Sequence, residues 1–206
     1  GGGISSFWNM KIQLAHKYND VICINNLFLA WKEFVVGKRS KKDVQEFSRN
    51  LIDNILSLHE CLVNKSYQHG SYHSFHINDP KRRYIHKACV KDRLLHHAIY
   101  RKLYPFFDKV FIHDSYSCRL EKGVYKAIAR FDYFAFKLSK NNTKTVHVLK
   151  CDIKKFFDSI DHQVLFNILD EYIPDKNIVR LLSNVIDSYH NEIQKGIGLP
   201  LGNLTS

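Results

Sequence analysis

Between Asn19 and Val36 the apolar residues Ile24, Leu27, Phe28, Trp31, Phe34 and Val35 recur at helical spacing, and Gly37 with its basic followers reads as a stop. The pattern predicts one amphipathic helix. From Lys41 to Asn64 the series Val44, Phe47, Leu51, Ile55, Leu58 and Leu62 advances in steps of three and four, which predicts a second helix with one apolar face. The period then changes to two. Tyr72 to Asn78 and Arg83 to Lys87 alternate aromatic or aliphatic with polar residues on either side of Asn78-Asp79-Pro80, so a basic hairpin is expected. Helical spacing returns in Asp92 to Phe107, through Leu94, Leu95, Ile99, Leu103 and Phe106. It returns again in Lys122 to Leu138, through Val124, Ile128, Phe131 and Leu138, and the polar segment between the two is irregular. Val146 to Asp152 reads as a strand running into an acidic end. Asp161 is placed to cap a helix carrying Val164, Leu165, Ile168 and Leu169. Asp175 is placed to cap one carrying Ile178, Leu181, Leu182, Val185 and Ile186.

At 206 residues and 45% hydrophobic, the chain can bury one sizeable core or two small subdomains, which excludes a disordered polyelectrolyte. Its formal charge of +11 reflects 31 Lys and Arg against 20 Asp and Glu, and a polyanion such as nucleic acid is the partner that excess suits best. The five cysteines, Cys23, Cys61, Cys89, Cys118 and Cys151, form no CxxC pair and are odd in number, which argues against a disulfide framework and for a reduced, cytoplasmic setting. No apolar run is long enough to cross a bilayer, so no membrane partner is expected. Residues 1–9 read as a tag remnant ahead of Met10, the one methionine. Residues 10–145 read as N-terminal helices and a finger-like subdomain, and 146–206 as part of a second subdomain, with Ser139 to Lys144 as the softest point between them.

A carboxylate at the end of a buried strand can hold a divalent cation rigidly, and Asp152 has that position. On spacing alone Asp152 serves equally as a strand-end cap or a salt-bridge partner, and Asp158 and Asp161 as local cap and turn residues. His69, His73 and His76 lie close in sequence but lack cysteine pairs or a second ligand group, so no zinc site is assigned. His96 and His97 read as packing or phosphate-contact residues.

The run Val148-Leu-Lys-Cys-Asp-Ile-Lys-Lys-Phe-Phe-Asp-Ser-Ile-Asp-His162 resembles motif A of bacterial reverse transcriptases. That resemblance implies that Asp152 and the Ile153 carbonyl bind Mg²⁺ (or Mn²⁺), and that Phe157 lies under the sugar and excludes a 2′-hydroxyl. Lys81-Arg-Arg-Tyr-Ile-His-Lys-Ala-Cys-Val-Lys-Asp-Arg93 is similar to the fingers motif of group II intron and related enzymes. It implies that Lys81 and Arg83 grip the incoming triphosphate and that Arg93 lies on the nucleic-acid path, although the same residues also read as a solvated basic hairpin. Asp114-Ser-Tyr-Ser-Cys-Arg-Leu-Glu-Lys-Gly123 resembles the family's Ser-Tyr-Gly-Phe-Arg-Pro-Gly stretch, with Arg119 as the arginine of the template path. Ser117-Cys118 and Lys122 depart from the usual residues. Gly198-Leu-Pro-Leu-Gly-Asn-Leu-Thr-Ser206 resembles motif B and implies that Pro200, Leu201 and Gly202 border the nascent pair. Leu201 stands where most relatives have Gln, a substitution associated with diversity-generating retroelements and some defence-linked enzymes.

The resemblance implies an α+β fold, the right hand of a reverse transcriptase, with helix-rich fingers, part of a palm carrying an antiparallel sheet, and no thumb. The implied partners are an RNA template, a DNA primer, a deoxynucleoside triphosphate and a retroelement accessory protein. The Tyr-X-Asp-Asp hairpin that supplies the other metal carboxylates is expected beyond Ser206, so the chain alone is expected not to polymerise. The rival expectation is a non-catalytic nucleic-acid-binding scaffold in a retroelement or defence ribonucleoprotein.

Overall fold

Two helices form where the first apolar series predicts one, α1 (Tyr18–Ile22) and α2 (Ile24–Phe34), in a computed structural model that describes residues 12–78, 82–191 and 194–204. Cys23 between them is extended, with φ −58° and ψ 145°. Asn26 Nδ2 donates to the Val21 carbonyl at 2.7 Å and to the Ala98 carbonyl at 3.0 Å. The break therefore leaves that helix-end acceptor satisfied. The second series is divided in the same way into α3 (Lys42–Arg49) and α4 (Leu51–Val63). Asn50 leaves the helical region, and Asn54 Nδ2 donates across the break to the Phe47 carbonyl at 3.0 Å.

The expected hairpin is present as β1 (His73–Asn78) and β2 (Arg82–Lys87), antiparallel with Phe75 opposite Ile85 and Ser74 opposite His86. Asp79 and Pro80, named above for its turn, lie outside the described residues, as do the leader and Met10. There follow α5 (Val90–Val110), which contains Pro105, then α6 (Val124–Leu138), α7 (His162–Tyr172) and α8 (Lys176–Ile186). Both forecast caps form: Asp161 accepts from Val164 N at 3.0 Å and Asp175 from Asn177 N at 2.9 Å.

Two compact units emerge, Gly1–Tyr104 with Lys155–Ser206, and Pro105–Lys154. The core of the first is built from the faces the sequence marks. Val21, Leu27 and Phe34 from α1 and α2, Ile55, Leu58 and Leu62 from α4, Leu94, Leu95 and Ile99 from α5, and Ile178, Leu181 and Val185 from α8 are all buried. Each large aliphatic or aromatic side chain so buried stabilises the unit by about 1.5–3 kcal/mol before entropy is subtracted. This apolar mass holds the hairpin and the turns of the candidate site.

In the second unit α6 forms at its expected place, yet none of its residues is buried, and Val124, Ile128, Phe131 and Leu138 are each at least half exposed. The strand expected from Val146 to Asp152 is corrected: the segment is irregular, and Leu149 is 87% exposed. A strand persists only with a ladder partner, and among the described residues none pairs with this segment.

Candidate functional site

The site begins at the outer edge of β2. His86 donates from its backbone N–H to the Leu201 carbonyl at 3.0 Å, and its own carbonyl accepts from Asn203 Nδ2 at 2.8 Å. The 201–203 turn thus covers backbone groups that an edge strand would otherwise leave open. Close approach is possible because Gly202 has no side chain. A Cβ there would lie 2.7 Å from Ile85 Cγ2, and φ is +104°, a conformation that L side chains rarely adopt.

The same turn is tied on its other side to the Phe157 segment. Leu199 N–H donates to the Phe157 carbonyl at 2.8 Å, and Gly198 N–H to the Ile160 carbonyl at 2.8 Å. Asp161 forms a β-bridge with Ile197. Phe157 opens a single 3₁₀ turn ending at Ser159, is half-buried, and packs edge-on against Phe156, which is 49% exposed. His162, at the start of α7 and buried, clamps the loop. Its Nε2 donates to the Gly198 carbonyl at 2.7 Å and its Nδ1 faces Asp187 Oδ1 at 3.0 Å.

Arg83, Phe157, Pro200, Leu201 and Gly202 therefore lie on three segments joined by backbone hydrogen bonds. Arg83 is exposed, and no hydrogen bond or ion pair engages its guanidinium among the described residues, which leaves its donors available to an anion. Lys81 lies outside the described residues. Arg93 points elsewhere. Its Nη2 meets Asp43 Oδ2 at 2.5 Å, where Lys87 Nζ also arrives at 2.6 Å, and its guanidinium stacks 5.1 Å over the Phe34 ring. Burial opposes charge on Asp43, but the Lys87 hydrogen bond and the charges of Arg93 and Lys87 outweigh it and hold the carboxyl below its ordinary value. Arg93 thus anchors α5 to α3.

Its neighbour Asp92 is wholly buried and organises the root of the hairpin. It accepts from Tyr67 OH at 2.8 Å, from Gly70 N–H at 2.9 Å and from Cys89 Sγ at 3.0 Å. His96, also buried, stacks on His69 with ring centroids 5.3 Å apart. Burial and then the adjacent His69 push His96 down to about 3, and burial with the charges of Lys38 and Arg93 pushes His97 down to about 4.

The remaining residues belong to the second unit. Arg119 holds a local turn together: Nε donates to Asp108 Oδ1 at 2.7 Å, Nη1 to the Ile112 and Ser115 carbonyls, and Nη2 to the Asp108 carbonyl. Asp152 and Ile153 are exposed on the irregular segment. No hydrogen bond or ion pair engages the Asp152 carboxylate among the described residues. A carboxylate beside a backbone carbonyl is a hard-oxygen pair of the kind Mg²⁺ prefers, so the residues present fit part of a magnesium shell. They do not complete one, since among the described residues no three His, Cys, Asp or Glu side chains are grouped to hold an ion.

Sequence reasoning missed His162, Asn203 and the His86 backbone as the pieces that fasten the turn. His162 stands within the motif A run, and the only available signal was a polar residue at the first position of a helix whose own cap, Asp161, was already assigned.

The chain matches the family described as Reverse transcriptase (RNA-dependent DNA polymerase) over residues 76–206. Among solved structures it resembles a chain of a partial Cas6-RT-Cas1--Cas2 complex, with a TM-score of 0.56 and 19% identity over 92% of this chain and 32% of that one. It resembles a chain of a Cas6-RT-Cas1--Cas2 complex with the same score, identity and share of this chain, covering 20% of the other. It thus spans a third or less of the length of the chains it resembles. No curated protein matches the sequence.

Proposed function

Because the chain belongs to the reverse transcriptase family, we propose that it forms the fingers and part of the palm of an RNA-directed DNA polymerase of the bacterial retroelement type. The observation that carries this reading is the junction of the basic hairpin, the Phe157 turn and the 198–203 turn through His86, Leu199 and Leu201. Three segments that the family match covers are thereby held as one wall, the arrangement a nucleotide pocket needs before a substrate enters.

In the reaction, the primer 3′-hydroxyl attacks the α-phosphorus of the incoming deoxynucleotide as the bond to pyrophosphate breaks. Arg83, with Lys81, holds the triphosphate through charge-assisted hydrogen bonds. Phe157 supplies the surface against which a 2′-hydroxyl would collide. Pro200, Leu201 and Gly202 border the nascent pair, and Leu201, which has no hydrogen-bonding group, contributes shape without polar recognition. Arg93 and Arg119 serve the nucleic-acid path by fixing the elements that carry it. Asp152 and the Ile153 carbonyl would hold Mg²⁺ (or Mn²⁺), which when bound supplies electrostatic stabilisation of the phosphoryl transfer. One carboxylate is less than two-metal chemistry requires, so polymerisation is assigned to the whole protein that contains this chain.

An accessory protein is the expected further partner. The two similar structures carry titles that place a reverse transcriptase in a complex with Cas6, Cas1 and Cas2.

The test is nucleotide selection by the whole protein on an RNA template. Phe157→Val should raise ribonucleotide incorporation relative to deoxynucleotide by about 10- to 100-fold, in keeping with the discrimination a steric pocket can supply. In the same assay Leu201→Gln should lower the misincorporation frequency. An unchanged sugar ratio removes Phe157 from the gate, and an unchanged error spectrum removes Leu201 from fidelity.

A further inference from the structure

The residues that follow α8, Asp187 to Asn191, reach each of the segments joined at the site. Asp187 Oδ1 faces His162 Nδ1 at 3.0 Å, and Ser188 Oγ shares a hydrogen bond with Tyr72 OH at 2.7 Å. Tyr189 OH lies 3.1 Å from Nε2 of His86, the β2 residue whose backbone carries the 201–203 turn. Asn191 uses both ends of its amide. Nδ2 donates at 2.8 Å to the carbonyl of Asp158, inside the 3₁₀ turn that Phe157 opens, and Oδ1 accepts from Gln194 N–H at 2.7 Å. The Asn191 N–H donates to the Ile197 carbonyl at 2.7 Å. Gly198 lies against the same two residues: a Cβ there would be 3.3 Å from Asn191 Cβ and 3.5 Å from Tyr189 Cε1.

We propose that Asn191 and Tyr189 are positioning residues for nucleotide selection, Asn191 for the sugar gate and Tyr189 for the pocket wall on the hairpin. The proposal rests on the assignment of Phe157 as that gate. A steric gate discriminates only while its own backbone holds still, because a turn that retreats by about an ångström makes room for the hydroxyl it should exclude. The gate turn is a single 3₁₀ turn of three residues, too short to hold its place through its own bonds. It is held from outside by Leu199 N–H on the Phe157 carbonyl, Gly198 N–H on the Ile160 carbonyl and Asn191 Nδ2 on the Asp158 carbonyl. Of these three bonds the last is the one made by a side chain, so it is the one a substitution can remove. Tyr189 acts on the opposite wall. Its hydroxyl fixes the His86 ring, and the His86 backbone holds Leu201 and Asn203, so losing that hydroxyl loosens the wall and leaves the bond to the gate turn in place.

The experiment is single-nucleotide primer extension on an RNA template by the whole protein, with kcat and KM measured for a deoxynucleoside triphosphate and for its ribonucleoside counterpart. Asn191→Asp keeps the size of the side chain and an acceptor for Gln194 N–H, but it sets a carboxylate oxygen against the Asp158 carbonyl, so that bond is lost. Its added charge meets the same triphosphate on both substrates and cancels in their ratio. The ratio of ribonucleotide to deoxynucleotide kcat/KM should rise about three- to tenfold, the effect of one hydrogen bond. Asn191→Ala should shift the ratio in the same direction. Tyr189→Phe removes the hydroxyl alone and should raise KM for both substrates about three- to tenfold, with kcat and the sugar ratio within about twofold of the unaltered protein. Phe157→Val is measured in parallel. A ratio that responds to Phe157→Val but to neither Asn191 variant would overturn the positioning role. A ratio that responds to none of the three would show that the gate itself is wrong, and the proposal would fall with it. If the Asn191 and Tyr189 variants all lose thermal stability and move ratio and KM together, the residues are merely structural and the proposal is overturned. Absence of extension by the unaltered protein would overturn the polymerase reading and this proposal with it.

Discussion

Gly202 shows how much can depend on one missing side chain. The turn that carries it lies against β2 closely enough that a Cβ would press within 2.7 Å of Ile85 Cγ2 at a φ of +104°. Gly202→Ala should therefore cost about 1–3 kcal/mol, through backbone strain and displacement of the turn. It should also weaken nucleotide binding by the whole protein more than it lowers the unfolding midpoint of the chain. Parallel thermal unfolding and nucleotide titration would check this, and an alanine variant with unaltered behaviour would mean that the turn does not dock as described. Gly202 was legible in sequence because glycine announces a backbone requirement. Arg93 and Arg119 were legible only as basic residues in the right motifs. That their guanidiniums face Asp43 and Asp108 depends on residues 50 positions and 11 positions away, and no local pattern specifies such partners.

At the scale of elements, periodicity located the α-helices among the described residues but not the breaks between them, nor the 3₁₀ turn at Phe157–Ser159. The second apolar series steps from Phe47 to Leu51 across the non-helical Asn50, because the apolar face is set by the core and not by backbone continuity, whereas the first begins at Ile24, just past Cys23, and only the predicted span runs through the break. The signals of the breaks were Asn26 and Asn54, which look like ordinary polar residues until their carbonyl partners are known. The strand at 146–152 was misjudged for the opposite reason: its β-branched residues satisfy a local preference, and pairing requires a neighbour that local sequence does not describe. Caps were read correctly because they are local, and they carry a prediction. Asp161→Ala removes one hydrogen bond to α7 and should cost about 1 kcal/mol. Asp175→Ala removes the α8 cap and also the 2.8 Å bond from Tyr18 N–H that ties α1 to α8, so it should cost about twice as much. Urea denaturation of the two variants would check the order, and an equal cost would show that the α1 contact contributes nothing.

Across the whole molecule, the excess of positive charge pointed to a polyanion without locating it, and exposed cations occur in both units, Arg82 and Arg83 on the hairpin and Lys140, Lys144 and Lys150 in the second. The fold also sets a response to acid. His96 and His97 titrate in the folded chain at about 3 and about 4, below their ordinary value of 6.5, so the unfolded chain binds more protons across that interval. The stability that these two neutral histidines contribute is fully present above about pH 6.5 and falls as pH drops toward 4. His97→Gln should flatten part of that slope in urea midpoints measured between pH 7 and 4.5, and an unchanged slope would remove His97 from the acid response. The central claim is catalytic, and Asp152 tests it most directly. Primer extension on an RNA template with Mg²⁺, by the whole protein and by its Asp152→Asn variant, should give extension in the first and at least about a thousandfold less in the second, with RNA affinity retained. Extension that survives the substitution would contradict the assignment of Asp152. A protein that binds RNA and extends no primer in either form would contradict the polymerase reading and favour a nucleic-acid-binding scaffold.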